Sequence, residues 1–543
     1  MKDVENILIL GAGLMQKPAI LAAKKLGCRA VVVDGNPKAA CVSLADDFYP
    51  VDLKDRKSLI ELALKLKSCG GLKAVFTAGT DFSASVAAVA EKCGLQGHSL
   101  AAAENASDKT KMRSCFESYS VPSPEFKKLK SLDFADFSSE EKYTFPLVVK
   151  PVDNMGGRGC RMVRSKDELD FAAASAIRHS RSETAILEAY MDGPEYSIDS
   201  ILYDGKLFIT GFADRHIKYP PYFIEVGHTM PTESDRKKYC QLVSAFALGI
   251  KSLGLTRGAA KADIKFTEKG PMIGEIAARL SGGYMSGWTY PYASDCPLTE
   301  QALAVSCGFS ADYLENHKIP LEFIPPADMK NAEQPFELYD VPCLRTSAER
   351  AWISIPGVIK SVEGLDEAAK VEYVKDVLPR VGAGACVNFP RNNVEKCGNI
   401  ITAAPTRVQA VEAAQEAIRK ITVTLMPNNP ETDAFLAGFS ESSEKGFPPS
   451  AYQLDEKAYA ELEKFRSELT VIPADAPVKP LMPDFLNKVA HLGAVDWNYC
   501  TIEQTLDRFD RLCPKHKKMD SYVFWKALIR GGIQGVLYVA AIE

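Results

Sequence analysis

The chain has 14 cysteines in 543 residues and no Cys-x-x-Cys pair among them. The spacing of a structural zinc site or a dithiol redox centre is therefore missing, and scattered thiols suit a reducing, cytoplasmic setting. No basic tract is present, the formal net charge is −5 and the pI is near 6.0. The electrostatic footprint of a nucleic-acid binder is absent. No apolar run approaches the ~20 residues of a membrane-spanning helix. The start, Met1-Lys2-Asp3-Val4-Glu5-Asn6, leads into a short strand rather than a signal-peptide core. Neither nucleic acid nor membrane is expected as a partner. What is there, 46% hydrophobic and 25% charged residues, suits a soluble chain of about three to four domains with ample core.

The most informative stretch is Gly274-Glu275-Ile276-Ala277-Ala278-Arg279-Leu280-Ser281-Gly282-Gly283. It follows Asp263 at hairpin distance, with a turn signal at Lys269-Gly270-Pro271. Two neighbouring strands would bring Asp263 and Glu275 onto one face. Two hard oxygen ligands with Arg279 close by suit Mg²⁺ and a nucleotide phosphate tail. A surface hairpin with two acids is the competing reading.

Upstream, Phe145-Pro146-Leu147-Val148-Val149-Lys150-Pro151 reads as a strand ending in a lysine, followed by Asp153-Asn154-Met155-Gly156-Gly157-Arg158-Gly159. Glycines at Gly156, Gly157 and Gly159 free the backbone to wrap phosphate oxygens, and Lys150 and Arg158 add positive charge. This is no P-loop, since no Gly-Lys-Ser/Thr follows. Next, residues 185–199 read as strand, hinge and strand. The hinge at Glu188, Ala189, Tyr190 and Met191 would offer backbone groups to an adenine edge, and Glu195 would accept from ribose hydroxyls. Lys109 lies at a helix start with Ser107 as its N-cap, another phosphate candidate.

The order Lys109, Lys150, glycine loop, hinge, Glu195, Asp263 and Glu275 with Arg279 resembles the ATP-grasp superfamily over roughly residues 1–310. The resemblance is closest to amino-acid-ligase-like and carbamoyl-phosphate-synthetase-like carboxylate–amine ligases. It implies ATP, with Lys109 and Lys150 on the phosphates, the glycine loop folded over them, adenine at Glu188 to Met191 and ribose at Glu195. It implies Mg²⁺, or Mn²⁺ in its place, at Asp263 and Glu275, with Arg279 facing the transferred phosphoryl group. One departure stands out: Ala277 occupies the position where many members carry an asparagine, so the metal shell lacks a ligand there or water fills it.

The fold expected is α/β. A doubly wound pre-ATP-grasp domain spans 1–105, where Ile7-Leu8-Ile9-Leu10-Gly11-Ala12-Gly13 opens a β-α-β unit. A two-lobed α+β ATP-grasp domain spans 106–314, with a mobile lid at 150–211. A linker at 315–345, a small lid-like α/β subdomain at 346–426 and a C-terminal extension at 427–543 follow. The Gly11 to Gly13 turn also permits a dinucleotide reading with Asp34 on a ribose, although the third glycine of that fingerprint is missing.

Phe223-Ile224-Glu225-Val226-Gly227-His228-Thr229 resembles the Glu-x-Gly-His segment of amino-acid-ligase-like members. There Glu225 would hold a substrate ammonium, and His228 a carboxylate or a proton. Ser281, Gly282 and Gly283 would present backbone amides to the acyl group, with Trp288 and Tyr290 as walls. The reaction expected is ATP-dependent carboxylate–amine ligation on small-molecule substrates, with ADP and phosphate released. A biotin-carboxylase-like or purine-carboxylase-like enzyme acting on bicarbonate stays open, as do a non-catalytic nucleotide-binding subunit and a homo-oligomer. The chain has no Met-Lys-Met biotinylation sequence of its own.

Overall fold

The computed structural model describes residues 4–130, 144–438, 446–452, 454, 456–466, 471–490 and 492–542. The chain forms two compact units, one of residues 1–216, 228–348 and 403–407, the other of 217–227, 349–402 and 408–543.

The first unit opens on a parallel sheet with strand order Asp47–Tyr49, Arg29–Val33, Asn6–Leu10, Leu72–Phe76. Its strands are nearly continuous apolar runs, Asn6–Leu10 being buried throughout, as a sheet covered on both faces requires. The dinucleotide reading meets an obstacle in the glycine turn. The Gln16 side chain accepts from the Gly13 amide at 2.9 Å, and a Cβ on Gly11 would sit 2.9 Å from it. The Asp34 carboxylate is taken by the backbone amides of Ala12 and Asn36, each at 2.8 Å.

A second, antiparallel sheet has the order Phe126–Lys130, Thr184–Ala189, Leu147–Pro151, Arg161–Val163. The helix Lys166–His179 buries Leu169, Ala172, Ala173 and Ala176 against it, an apolar stripe at helical spacing. In a larger third sheet, Gly270–Ala277, Gly258–Thr267, Glu195–Tyr203 and Lys206–Lys218 lie side by side in that order, antiparallel to one another. The helix Arg236–Leu253 covers it, capped by the Asp235 side chain on the Lys238 amide and stopped by Gly254 at φ 80°.

Three expectations shift. The proposed lid of 150–211 divides between two sheets, because Glu195–Tyr203 hydrogen-bonds to Gly258–Thr267 rather than to Thr184–Ala189. The expected linker at 315–345 contains the helix Asp312–His317 in part, and its strand Glu337–Asp340 pairs in parallel with Lys206 to Ile209. Asp108, not Ser107, caps the helix Lys109–Ser118, since the Ser107 hydroxyl donates back to Ala103 and belongs to the preceding helix.

In the second unit, Gly357–Glu363 pairs with Cys386–Val387 and Thr422–Leu425, and Val374–Pro379 pairs with residues 398–402. The helices Ile502–Leu512 and Ser521–Ala541 contribute Phe509, Phe524, Trp525 and Tyr538 to a core that also holds Trp352, Phe389 and Ile418. Residues 427–543 therefore share one core with the segment expected as a separate subdomain. That stretch also contains the helix Glu456–Phe465.

Candidate nucleotide and metal site

Asp263 and Glu275 are register partners on adjacent antiparallel strands, so both side chains leave the same face of the sheet. Alternation extends this to Lys261-Ala262-Asp263-Ile264-Lys265, which sends two lysines and the aspartate to one side. Asp263 accepts from the Ser197 hydroxyl at 2.7 Å and lies 3.3 Å from Arg215 and 2.5 Å from Lys261. Burial pushes its carboxyl up, but the charges of Arg215 and Lys261 more than offset this and hold it well below the usual carboxylate range.

Lys109 reaches Glu275 from the first turn of its helix. Its amide donates to Val152 at 3.0 Å, tying the helix start to the end of Leu147–Pro151. Its ammonium donates to the Asn154 carbonyl at 3.1 Å and lies 3.3 Å from Glu275. Burial disfavours the Lys109 charge, yet Glu275 and Asp81 together raise its pKa above the ordinary value. A cation thus persists beside the carboxylate pair, within reach of the glycine loop. Gly156, Gly157 and Gly159 in that loop all have φ between 69° and 76°. Arg158 turns back onto the loop, its Nη1 at 3.5 Å from Asn154 Oδ1 and 3.4 Å from the Met155 carbonyl.

Lys150 makes a 2.7 Å ion pair with Glu188, and Arg113 meets the same carboxylate at 2.9 Å. Burial pushes the Glu188 carboxyl up, but Arg113 and Lys150 lower it overall. The expected adenine role of Glu188 is displaced. Its backbone is paired on both sides within the sheet and its side chain is buried between two cations. The hinge proper begins later. The Tyr190 amide donates to Pro146 at 3.3 Å, and the Met191 carbonyl accepts from Lys265 at 3.0 Å. Glu195 pairs with Arg215 and lies 3.5 Å from Lys265.

Arg279 is held by Asp81 at 2.8 Å, from the loop after Leu72–Phe76. Burial raises the Asp81 carboxyl, while Arg279 and Lys109 bring it below its ordinary value. The same loop is stitched to the acid-bearing run by a parallel bridge between Ala78 and Leu280 and by a 3.2 Å bond from the Gly79 amide to the Leu280 carbonyl. Gly79, at φ 64°, packs so closely that an added Cβ would lie 3.3 Å from Gly282 Cα. The Ser281 amide, expected to face an acyl group, instead donates to Asp199 at 2.9 Å, and its hydroxyl donates to the same carboxylate. The Gly282 carbonyl accepts from Met285 at 3.2 Å, and Gly283 takes φ 61° ahead of the turn at Tyr284. Tyr290 is core, with no exposure and its hydroxyl on the Val341 carbonyl at 2.9 Å.

Glu225 and His228 are both buried on the strand Ile224–Met230. In the second unit the Glu225 carboxylate has Lys396 at 3.9 Å, and Lys396 donates to its carbonyl at 2.9 Å. A lysine thus stands where a substrate ammonium was expected. Sequence reading passed over Asp81's partnership with Arg279, and Arg113, Asp199, Arg215, Lys261 and Lys265 altogether. Period-two charge around Asp263 was a usable signal for the two lysines. Arg113 and Arg215 become legible only once their strands and helix are assembled.

The residues fit a divalent cation on nucleotide phosphates. Asp263 and Glu275 supply two hard oxygen donors on one face, and lysines surround them. Ala277, on the same hairpin, adds no donor.

Residues 143–287 match the family model of the ATP-grasp domain, and residues 351–426 match that of the L-amino acid ligase C-terminal domain 2. The chain carries an ATP-grasp domain over residues 143–287. It is 24% identical over 392 residues to carnosine synthase 1 of Gallus gallus, covering 68% of this chain and 40% of that protein. It is 27% identical over 276 residues to the alanine–anticapsin ligase of Bacillus subtilis, covering 45% of this chain and 57% of that one. The match thus spans about half the length of these two relatives. Among solved structures, L-amino acid ligase from Bacillus licheniformis superposes with a TM-score of 0.64 at 19% identity, over 78% of this chain and all of that one. That likeness shows the α/β fold expected above.

Proposed function

We propose that the chain is an ATP-dependent carboxylate–amine ligase acting on small metabolites. The observation that carries this reading is the Asp263–Glu275 pair, side by side on one hairpin with Lys109 on Glu275. ATP supplies a phosphoryl group to the substrate carboxylate. The carboxylate oxygen bonds to the γ-phosphorus, the β–γ bridging P–O bond breaks and ADP leaves. The amine nitrogen then attacks the acyl carbon, loses a proton and expels phosphate. Lys109 and Lys150 hold phosphate oxygens, Asp263 and Glu275 hold Mg²⁺, and the glycine loop at 156–159 closes over the phosphates. Met191 and Tyr190 offer backbone groups to adenine, and Glu195 meets the ribose. Arg279, oriented by Asp81, neutralises the charge on the phosphoryl group in transit. No side-chain nucleophile is required.

Phosphate release with panels of amino acids, other carboxylates, amines and bicarbonate tests the reading. Release that needs both a carboxylate and an amine, with a C–N-linked product by mass spectrometry, supports it. Release dependent on bicarbonate alone assigns the carboxylase chemistry instead. ATP binding without turnover across the panel assigns a nucleotide-binding role.

A further inference from the structure

The second unit contains an open cavity of about 440 Å³, within the range of roughly 300–1,000 Å³ typical of small-molecule sites. Tyr219, Tyr452, Trp497 and Tyr499 form much of its wall, and Lys218 and Asp496 are its charged residues. Tyr452 and the loop at 493–499 lie beyond residue 426, outside both matched family regions.

The loop is built rather than slack. The Asp496 amide donates to the Cys500 carbonyl at 2.9 Å, and Asp496 Oδ1 accepts from the amides of Asn498 at 2.8 Å and Cys500 at 2.9 Å. The Asn498 side chain in turn bonds both backbone groups of Ile353 at 3.2 Å. The aromatic walls are anchored from behind. Tyr452 donates to the Thr505 hydroxyl at 2.7 Å, and the Trp497 ring meets Phe389 edge-on at 5.1 Å. Tyr219 and Tyr499 both take φ 65°, a left-handed backbone that residues with a side chain seldom adopt, and such strain gathers at ligand sites.

Neither charged residue of this cavity makes an ion pair among the described residues. Asp496 is 4% exposed and its Oδ2 accepts no hydrogen bond among the described residues, in contrast to Oδ1. Burial pushes its carboxyl up to about 6, which leaves it ionised at neutral pH. The Lys218 side chain, exposed at the cavity mouth, makes no ion pair or hydrogen bond among the described residues, and partial burial of its stem with the nearby Arg350 charge lowers its pKa. A carboxylate with one oxygen free of hydrogen bonds, its charge only partly offset by Arg508, and a lysine without an ion pair, both at one aromatic-lined cavity, are the complement of a molecule that carries both charges.

We propose that this cavity binds a small zwitterion with an apolar or aromatic body, its ammonium on Asp496 Oδ2, its carboxylate on Lys218 and its body against the tyrosine and tryptophan rings. Stacking and cation–ring attraction favour such a ligand over a purely polar one. The proposal is independent of the ligase reading.

The test uses the full chain without nucleotide, titrated by calorimetry and by tryptophan fluorescence with L-phenylalanine, phenethylamine and 3-phenylpropionate. L-tryptophan and L-leucine extend the panel. At least one zwitterion should bind about tenfold or more tighter than the single-charge analogues, since a site built for a polar group rejects ligands that lack it. Lys218→Met should weaken the zwitterion and leave phenethylamine unchanged, and Asp496→Asn should weaken the zwitterion and phenethylamine and leave 3-phenylpropionate unchanged. Trp497→Phe should remove the fluorescence change while heat persists. Failure of every zwitterion to bind overturns the proposal, as does binding that ignores Lys218→Met. Should Asp496→Asn not fold, Lys218→Met carries the test, because that side chain is exposed.

Discussion

The charged cluster of the first unit and the aromatic cavity of the second solve opposite problems. Around Asp263 and Glu188, the carboxylates Asp263, Glu275 and Glu188 each have a cation within 4 Å. Cations and carboxylates hold each other in their charged forms against the effect of burial. Under the proposed function a ligand entering there would exchange partners: phosphate would take lysines from carboxylates, and a metal ion would take carboxylates from lysines. In the cavity the chain leaves Lys218 and Asp496 unpaired and spends its packing on rings. A ligand there supplies the missing partner. The first arrangement suits a highly charged ligand at little cost to the empty protein, whereas in the second the empty protein carries the cost of the buried Asp496 carboxylate.

The sharpest way to break this comparison is to remove the hub of the first cluster. Glu188→Ala leaves Arg113 and Lys150 without their shared carboxylate in a buried setting, and should cost about 3–5 kcal/mol of unfolding free energy in urea titrations. A loss within experimental error would show that water reaches the pair.

Glu275→Gln keeps the shape but removes one metal-binding charge. ATP turnover should fall on the order of 10²-fold or more with little change in melting temperature, read by phosphate release at limiting and saturating Mg²⁺. Near-native activity at limiting Mg²⁺ would remove Glu275 from the metal shell.

Each region also buries one carboxyl that is pushed up to about 6, Asp199 in the first and Asp496 in the second, burial being the main cause in both. With the native pKa above the unfolded value near 3.8, each contributes stability that is full below about pH 4 and lost as pH rises through about 6. The contribution is on the order of 2–3 kcal/mol per group. The stability difference between the wild type and Asp199→Asn, followed from pH 4 to pH 8, should move in the variant's favour by that amount. A flat difference would mean that the bonds from Ser281 keep Asp199 ionised throughout.

The smallest effect concerns the glycine loop. Gly159 sits at φ 69°, and an added Cβ would lie 2.9 Å from His179 Cβ. Gly159→Ala should cost about 1–3 kcal/mol locally and appear chiefly as weaker MgATP binding, while Gly205→Ala, at φ 75° with open space around it, should leave nucleotide affinity unchanged.

The two regions also differ in how far the sequence reveals them. The Asp263–Glu275 hairpin was legible because its turn is short and both acids fall on the same side of a period-two pattern. The places of Lys109 at a helix start and Lys150 near a strand end were legible as well. Glu188 was misread because hinge and strand share an apolar spelling, and only the pairing of Thr184–Ala189 on both edges shows that it lies inside the sheet. Ser281 was misread because its acceptor, Asp199, is 82 positions away. The cavity was not legible at all. Its walls come from Lys218 and, 234 residues further on, from Tyr452 and then a loop near 496, and none sits in a periodic motif.

The chain's route between its two units bears on how it can be cut. Residues 217–227 leave the first unit for the second and come back before the first is complete, and 403–407 make the reverse excursion. No single truncation therefore yields either unit whole. A fragment ending at 348 would keep Tyr219, Ile224 and Val226, apolar side chains whose core partners, such as Trp352, Phe389 and Trp525, had been discarded. Such a fragment would expose a sticky strand to its neighbours and be prone to precipitate. Gene fission, domain shuffling and fragment expression all meet this barrier, so the two units are expected to be inherited and engineered as one piece.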